Sequence, residues 1–147
     1  MNESLKLENQ LCFRLYTASR LITQAYHPLL GRWGLTYPQY LVLLVLWEED
    51  DQRVNDIARR LFLETNTVTP LLKRMESAGL ITRGRNSSGD ARQVIVSLTD
   101  KGRALQDELE DVPLAIGSAA MCSSITAETA PQLYKMLDDM IEKLSQE

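Results

Sequence analysis

Two thiols and a small set of phenols are the groups in this 147-residue sequence best suited to chemistry. Cys12 stands in Leu7-Glu8-Asn9-Gln10-Leu11-Cys12-Phe13, and Cys122 in Ala119-Ala120-Met121-Cys122-Ser123-Ser124. A thiolate, not a thiol, attacks a peroxide oxygen, giving a sulfenic acid and an alcohol. A free cysteine has a pKa of about 8.5, so only a few per cent is ionised near pH 7. Burial alone lowers that fraction, so a reactive sulfur needs hydrogen-bond donors. Tyrosine hydroxyls donate without adding charge, and apolar walls beside them admit a greasy hydroperoxide. Tyr16 follows Cys12 by one helical turn. Tyr26 shares the heptad phase of Cys12 but lies 14 residues on, about 21 Å along a straight helix. It cannot reach Cys12 of its own chain, so a contact must come from a second chain whose first helix runs antiparallel. Plainer readings stand beside these: an inert buried thiol, and tyrosines that only fill a core.

The elements that must carry these groups are legible from periodicity. Residues 4–30 read as a helix, with Leu5, Cys12, Ser19 and Tyr26 every seven residues and Leu11, Leu15 and Ile22 beside them. His27-Pro28, Gly31 and Gly34 end it there or soon after. A second helix starts near Thr36-Tyr37-Pro38 and runs through residues 41–47, apolar nearly all round and so central. Glu48-Glu49-Asp50-Asp51 reads as a solvated turn. Val54, Ile57, Ala58 and Leu61 mark a short helix; Val68, Leu71, Leu72 and Met75 mark another after a turn at Leu63-Glu64-Thr65-Asn66. A two-stranded hairpin follows, with a polar tip at residues 86–90 and Val94, Val96 and Leu98 alternating on one strand. Thr99 reads as the N-cap of a helix that Pro113 and Gly117 interrupt or bend. The last helix, starting near Thr126, carries Leu133, Met136, Leu137, Met140, Ile141 and Leu144 on one wide face, which suggests a second subunit.

Composition narrows the field. The net charge is −4, yet residues 53–103 carry +5 and the remainder −9, a basic module between acidic flanks. The longest apolar run, residues 41–47, is far short of the roughly 18 residues a membrane span needs. No basic-then-apolar leader opens the chain, and two Cys with one His argue against a zinc site or a disulfide framework. A cytoplasmic chain without a cofactor, metal or membrane is the expectation.

Helix, turn, helix and ribbon is the order of a winged helix-turn-helix, here with added N- and C-terminal helices in a mainly α chain. The second short helix presents Thr67, Thr69, Pro70, Lys73, Arg74 and Ser77 opposite its apolar face. Small hydroxyls near a helix start can reach base edges in a major groove, and basic residues a turn later meet phosphates. An interior proline is costly, so this helix is expected to begin at Asn66 or Thr67, with Pro70 in its first turn. Arg85 and Arg92 on the hairpin suit a minor groove, and Asp90 could fix the pose of Arg92. The candidate DNA-contacting set is Thr65, Asn66, Thr67, Thr69, Pro70, Lys73, Arg74, Arg83, Arg85, Asp90 and Arg92.

From residue 54 to 102 the chain resembles the MarR family of winged-helix transcription regulators, through Gly79-Leu80-Ile81, Asp90-Ala91-Arg92 and Leu98-Thr99-Asp100-Lys101-Gly102. The N-terminal half is similar to the organic-hydroperoxide-resistance branch of that family, through the Cys12 block, Tyr16, Tyr26 and Thr36-Tyr37-Pro38-Gln39-Tyr40. The reading helix matches too, in Thr69-Pro70-Leu71-Leu72-Lys73-Arg74-Met75-Glu76. The resemblance implies a single domain over 1–147, with dimerisation helices at 1–35 and 104–147 and a DNA-binding lobe at 53–103. It implies a homodimer on a pseudo-palindromic operator, a non-enzymatic repressor that releases double-stranded DNA when organic hydroperoxide oxidises Cys12. It assigns Tyr26 and Tyr37 as donors to the partner's Cys12. Cys122 fits, by rough position, a second cysteine that resolves the oxidised one; in other members a low-molecular-weight thiol does so. Phe62-Leu63-Glu64-Thr65-Asn66-Thr67-Val68 and the long wing tip depart from the branch's pattern, so the operator sequence does not carry over. The alternative is a regulator of the same fold that answers to a small phenolic or drug-like ligand, with Cys12 unreactive.

Overall fold

The computed structural model describes residues 2–85 and 93–146, and the backbone but not the side chain of Arg85. Seven helices and a small sheet are formed by these residues. The helices are α1 (Leu11–Leu30), α2 (Tyr37–Glu48), α3 (Val54–Arg60), α4 (Thr65–Ser77), α5 (Asp100–Glu108), α6 (Val112–Ala120) and α7 (Ala130–Ser145); the strands are β1 (Gln52–Arg53), β2 (Ile81–Arg85) and β3 (Val94–Leu98). The chain divides into two compact units, Met1–Val112 and Pro113–Glu147.

In the first unit α2 is the central helix, as its sequence requires: Tyr40, Val42, Leu43, Val45 and Leu46 are buried. Thr36 caps it in a reciprocal box, accepting from the Gln39 backbone while the Gln39 side chain accepts from the Thr36 N–H, with Pro38 in the first turn. Ile57, Ala58, Val68, Leu71, Leu72 and Met75 of α3 and α4 complete the core with Leu80, Ile81, Val96 and Leu98 of the hairpin. Gly79, at φ +78°, ends α4 in the left-handed turn that glycine adopts without strain, and Leu80 N–H closes back on Met75 O at 3.0 Å. Thr99 caps α5 as expected, accepting from Gly102 N–H at 3.1 Å.

The structure corrects several expectations. Helix α1 starts at Leu11 rather than near residue 4, because side chains take the carbonyls a longer helix would use. Gln10 Nε2 donates to Ser4 O and Lys6 O, both at 2.8 Å, and Asn9 Nδ2 donates to Glu3 O at 2.7 Å. Residues 3–9 therefore form two 3-10 turns, and Leu5 leaves the helical stripe. The end of α1 is as expected: it stops at Leu30, two residues after Pro28. The hairpin is part of a three-stranded antiparallel sheet in the order β1-β3-β2, with Gln52 opposite Val96 and Ile81 opposite Leu98. The acidic turn is not merely solvated. Asp50 Oδ1 accepts from Leu98 N–H at 2.9 Å and Asp51 Oδ1 accepts from Ser97 Oγ at 2.5 Å, so two carboxylates tie the end of β3 to the turn after α2. The terminal helix starts at Ala130, after a turn in which Thr126 and Thr129 exchange hydrogen bonds.

The second unit holds α6 beyond its first residue, a turn, and α7. Pro113 sits in the first turn of α6, and Gly117 lies within it. None of α7 is buried: Tyr134, Met136, Ile141 and Leu144 are exposed, and Leu133, Leu137 and Met140 are half-covered.

Candidate functional site

Helix α4 places its polar face as the sequence predicts: Thr65, Asn66, Thr67, Pro70, Lys73 and Arg74 are exposed, opposite buried Val68, Leu71, Leu72 and Met75. Its start differs. The helix begins at Thr65, so Pro70 is the sixth residue and lies beyond the first turn. The position is tolerated because a missing N–H there leaves only the carbonyl of exposed Asn66 without its helical donor. Thr69 is half-buried, and its hydroxyl donates to Thr65 O at 2.9 Å. Thr65 Oγ1 donates to Asn55 Oδ1 at 3.2 Å and links the two helices of the motif.

A groove of about 520 Å³ runs beside this helix start, lined by Arg53, Asn55, Arg59, Thr65, Thr69 and Arg83 among others. Asp56 holds two of its cations, Arg53 Nε at 2.9 Å and Arg59 Nη1 at 3.3 Å. Arg83 is held by Glu76, which accepts from its backbone N–H and from Nη2, each at 3.1 Å. That guanidinium, chiefly through its hydrogen bond, keeps the Glu76 carboxyl below the usual carboxylate range. Lys73 and Arg74 have no ion-pair partner among the described residues. Sequence reasoning missed Arg53, Asn55 and Arg59 as groove residues, although both arginines contributed to the basic excess of the segment. Asp90 and Arg92 lie outside the described residues, as does the side chain of Arg85, whose backbone pairs with Val94 in the hairpin.

The thiols and phenols are the second constellation. Cys12 is exposed in the first turn of α1, at its second residue, and Tyr16 is exposed one turn on. Tyr26 lies near the other end of the same helix and meets Tyr37, with ring centroids 4.6 Å apart. Tyr40 joins them, 5.7 Å from Tyr26 and 6.5 Å from Tyr37, and its far side meets the edge of Trp47. Tyr40 stands in the Thr36–Tyr40 motif without a sensing role assigned from sequence, though its i, i+3 spacing from Tyr37 puts both on one face of α2. Burial, with Tyr37 and Tyr40 nearby, pushes the Tyr26 phenol up to about 12; burial raises Tyr37 and Tyr40 as well. All three remain hydroxyl donors well above neutral pH. A cavity of about 230 Å³ lies at this corner, lined by Thr23, Tyr26, His27, Leu30, Leu35 and Tyr37 among others. Cys122 is exposed in the turn after α6, its N–H donating to Ile125 O at 3.1 Å. Among the described residues no cluster of metal-ligating groups occurs, and no helix is long and apolar enough to cross a membrane.

Two helices joined by a short turn, followed by an antiparallel ribbon, with a polar helix face beside an arginine-lined groove, define a winged-helix protein of the DNA-binding type. The chain belongs to the SarA/Rot family of transcriptional regulators, whose family model matches residues 24–109. Over 144 residues it is 45% identical to the organic hydroperoxide resistance transcriptional regulator of Bacillus subtilis, covering 98% of this chain and 95% of that one. It is 39% identical over 142 residues to the transcriptional regulator MgrA of Staphylococcus aureus, covering 96% of this chain and 94% of that one. The solved structure of reduced AbfR bound to DNA aligns with a TM-score of 0.79 at 42% identity, covering 97% of each chain. AbfR comes from Staphylococcus epidermidis and has also been solved in a disulfide-formed state, which aligns less closely at a TM-score of 0.68.

Proposed function

We propose that this chain is a dimeric, thiol-switched repressor that binds double-stranded DNA and releases it when an organic hydroperoxide oxidises Cys12. The observation that carries this reading is the division of the sensing groups along α1. Cys12 sits at one end of the helix and the paired phenols of Tyr26 and Tyr37 at the other, about 14 residues of helical rise apart. Neither end makes a complete reactive site alone. A second copy with its α1 antiparallel brings the phenols of one chain to the sulfur of the other.

The exposed face of α1 supports that assembly. Of its 20 residues only Leu30 is buried, while Leu11, Phe13, Leu21 and Ile22 are each at least 40% exposed. Apolar surface on this scale marks a protein contact. Helix α7 carries an exposed apolar face of its own, so in this reading residues 1–35 and 104–147 supply the dimer and residues 53–103 the DNA-reading lobe. Two such lobes related by a twofold axis fit a pseudo-palindromic operator.

The chemistry follows from the placement of Cys12. Cys12 is exposed in the first turn of α1, and the form that reacts is its thiolate. It attacks the outer peroxide oxygen; the S–O bond forms, the O–O bond breaks, and the departing alkoxide takes a proton and leaves as an alcohol. Tyr16 of the same chain, with Tyr26 and Tyr37 of the partner, donate hydrogen bonds to the sulfur. The sulfenic acid then condenses with Cys122 or with a low-molecular-weight thiol, losing water. A disulfide-formed state is known for AbfR, which supports a disulfide as the outcome here. On the DNA side, Thr65, Asn66, Thr67, Thr69 and Pro70 reach base edges, Lys73 and Arg74 bind phosphate, and Arg83, Arg85, Asp90 and Arg92 serve the wing.

The test combines intact-mass spectrometry with a DNA-binding assay after one equivalent of cumene hydroperoxide. The expected result is addition of one oxygen, or loss of two hydrogens for a Cys12–Cys122 disulfide, together with DNA release. In Cys12→Ser both disappear while DNA binding stays within about twofold. Unmodified protein that still lets go of DNA, or a Cys12→Ser variant released by a phenolic ligand alone, defeats the thiol mechanism.

A further inference from the structure

We propose that Glu76 is a positioning residue for DNA recognition: its carboxylate aims Arg83 into the groove between the start of α4 and the hairpin, where the guanidinium meets a DNA phosphate. The inference rests on the DNA-binding reading above and adds an acid to its working parts.

Glu76 is the penultimate residue of α4, and Arg83 is central in β2. One carboxylate oxygen accepts from the Arg83 backbone N–H and the other from its Nη2. A single side chain thus fixes both the strand's distance from the reading helix and the direction of the arginine that the strand carries. The Arg83 side chain is 21% exposed and lines the groove beside Thr65 and Thr69. Its Nε is buried with no hydrogen-bond partner among the described residues. With that nitrogen closed off from solvent, a DNA phosphate would meet Arg83 through the exposed part of its side chain that lines the groove. The other groove arginines, Arg53 and Arg59, share Asp56, which anchors side chains only; Glu76 alone among these acids also grips the strand backbone.

The claim runs against simple electrostatics. An acid next to DNA repels phosphate, so charge alone says that Glu76→Gln tightens binding. A positioning role says that it weakens binding. Glutamine keeps the shape but only one acceptor oxygen; its NH2 donates, so the backbone N–H and the guanidinium can no longer each have an oxygen of their own.

Wild-type protein is first used to select its preferred duplex from a randomised pool of about 30 base pairs, long enough for two half-sites. Affinity for that duplex is then measured as a function of salt for wild type, Glu76→Gln, Arg83→Ala and the double variant, with the melting temperature of each. The expected outcome is a loss of about fivefold or more for Glu76→Gln, and a salt slope shallower by about 1.8 for Arg83→Ala, about 0.9 for each of the dimer's two Arg83 side chains. Adding Glu76→Gln to Arg83→Ala should cost nothing more, because the residue it aims is already gone. Equal or tighter binding by Glu76→Gln overturns the proposal. So does an Arg83→Ala variant that melts lower but keeps the wild-type slope, since the pair is then only a latch. Wild-type protein that enriches no sequence and binds no duplex instead removes the DNA-binding reading on which the proposal rests.

Discussion

Helices α1 and α4 are both amphipathic, but they satisfy their apolar faces in different ways. Helix α4 buries Val68, Leu71, Leu72 and Met75 within its own chain, and its polar side is held by local bonds from Thr65, Thr69 and Glu76. Helix α1 is longer, yet buries only Leu30 and leaves a row of apolar side chains in solvent. The DNA-reading surface is therefore organised within one chain, whereas the thiol-bearing helix keeps an open apolar face that the proposed dimer would cover. In the proposed dimer, a thiol on a helix that a second subunit completes would be well placed to act as a switch, because changing the sulfur would change how two finished lobes are held.

Four substitutions or conditions test that contrast, beginning with the largest expected effect. In the finished lobe, Gly102→Ala would place a Cβ 2.2 Å from Leu80 O, beside the junction between α4 and β2. The carbonyl is backbone and cannot swing away, so a loss of about 3 kcal/mol or more in urea unfolding is expected; a wild-type midpoint would show that the junction yields. In the unfinished helix, Ile22→Lys should leave the helical circular dichroism intact but weaken self-association by about tenfold or more in sedimentation. A dimer that survives it places the contact elsewhere. Thr36→Ala removes one half of the cap on α2 and should cost about 1 kcal/mol with no change in assembly. The smallest effect is titration of the phenols that join α1 to α2. Tyr26 binds its proton more tightly in the folded chain, so its contribution is complete below the ordinary phenol pKa of about 10. It is lost as pH rises toward about 12. Tyr26→Phe should flatten that part of the melting-temperature profile, and an unchanged profile would mean that the phenol is not held as described.

Much of this was legible before folding was considered. The 3.6-residue pattern of Val68, Leu71, Leu72 and Met75 and the alternation through Val94, Val96 and Leu98 each report a local burial preference, and each element formed. The Thr36 and Thr99 caps lie within three residues of the groups they bind, so their chemistry is also local. The extended start of α1 was misread because the competing Gln10 and Asn9 bonds to earlier carbonyls depend on a particular loop shape. Arg53 and Arg59 add to the basic excess of the middle segment, but charge gives no direction until the chain is packed.

Sequence by itself determined the order of elements, the basic character of the middle segment, and the separation of Cys12 from Tyr26 along one helix. Those depend on residue type and rise per residue, which are properties of neighbours in the chain. Tertiary structure alone decided that Asp50 and Asp51 grip β3, that Tyr40 joins the phenols, and that Glu76 and Arg83 face each other across the hairpin base. Those pairings depend on where packing brings distant backbone together, and the binary pattern of apolar and polar residues sets which face is buried without naming the polar atom that will lie opposite.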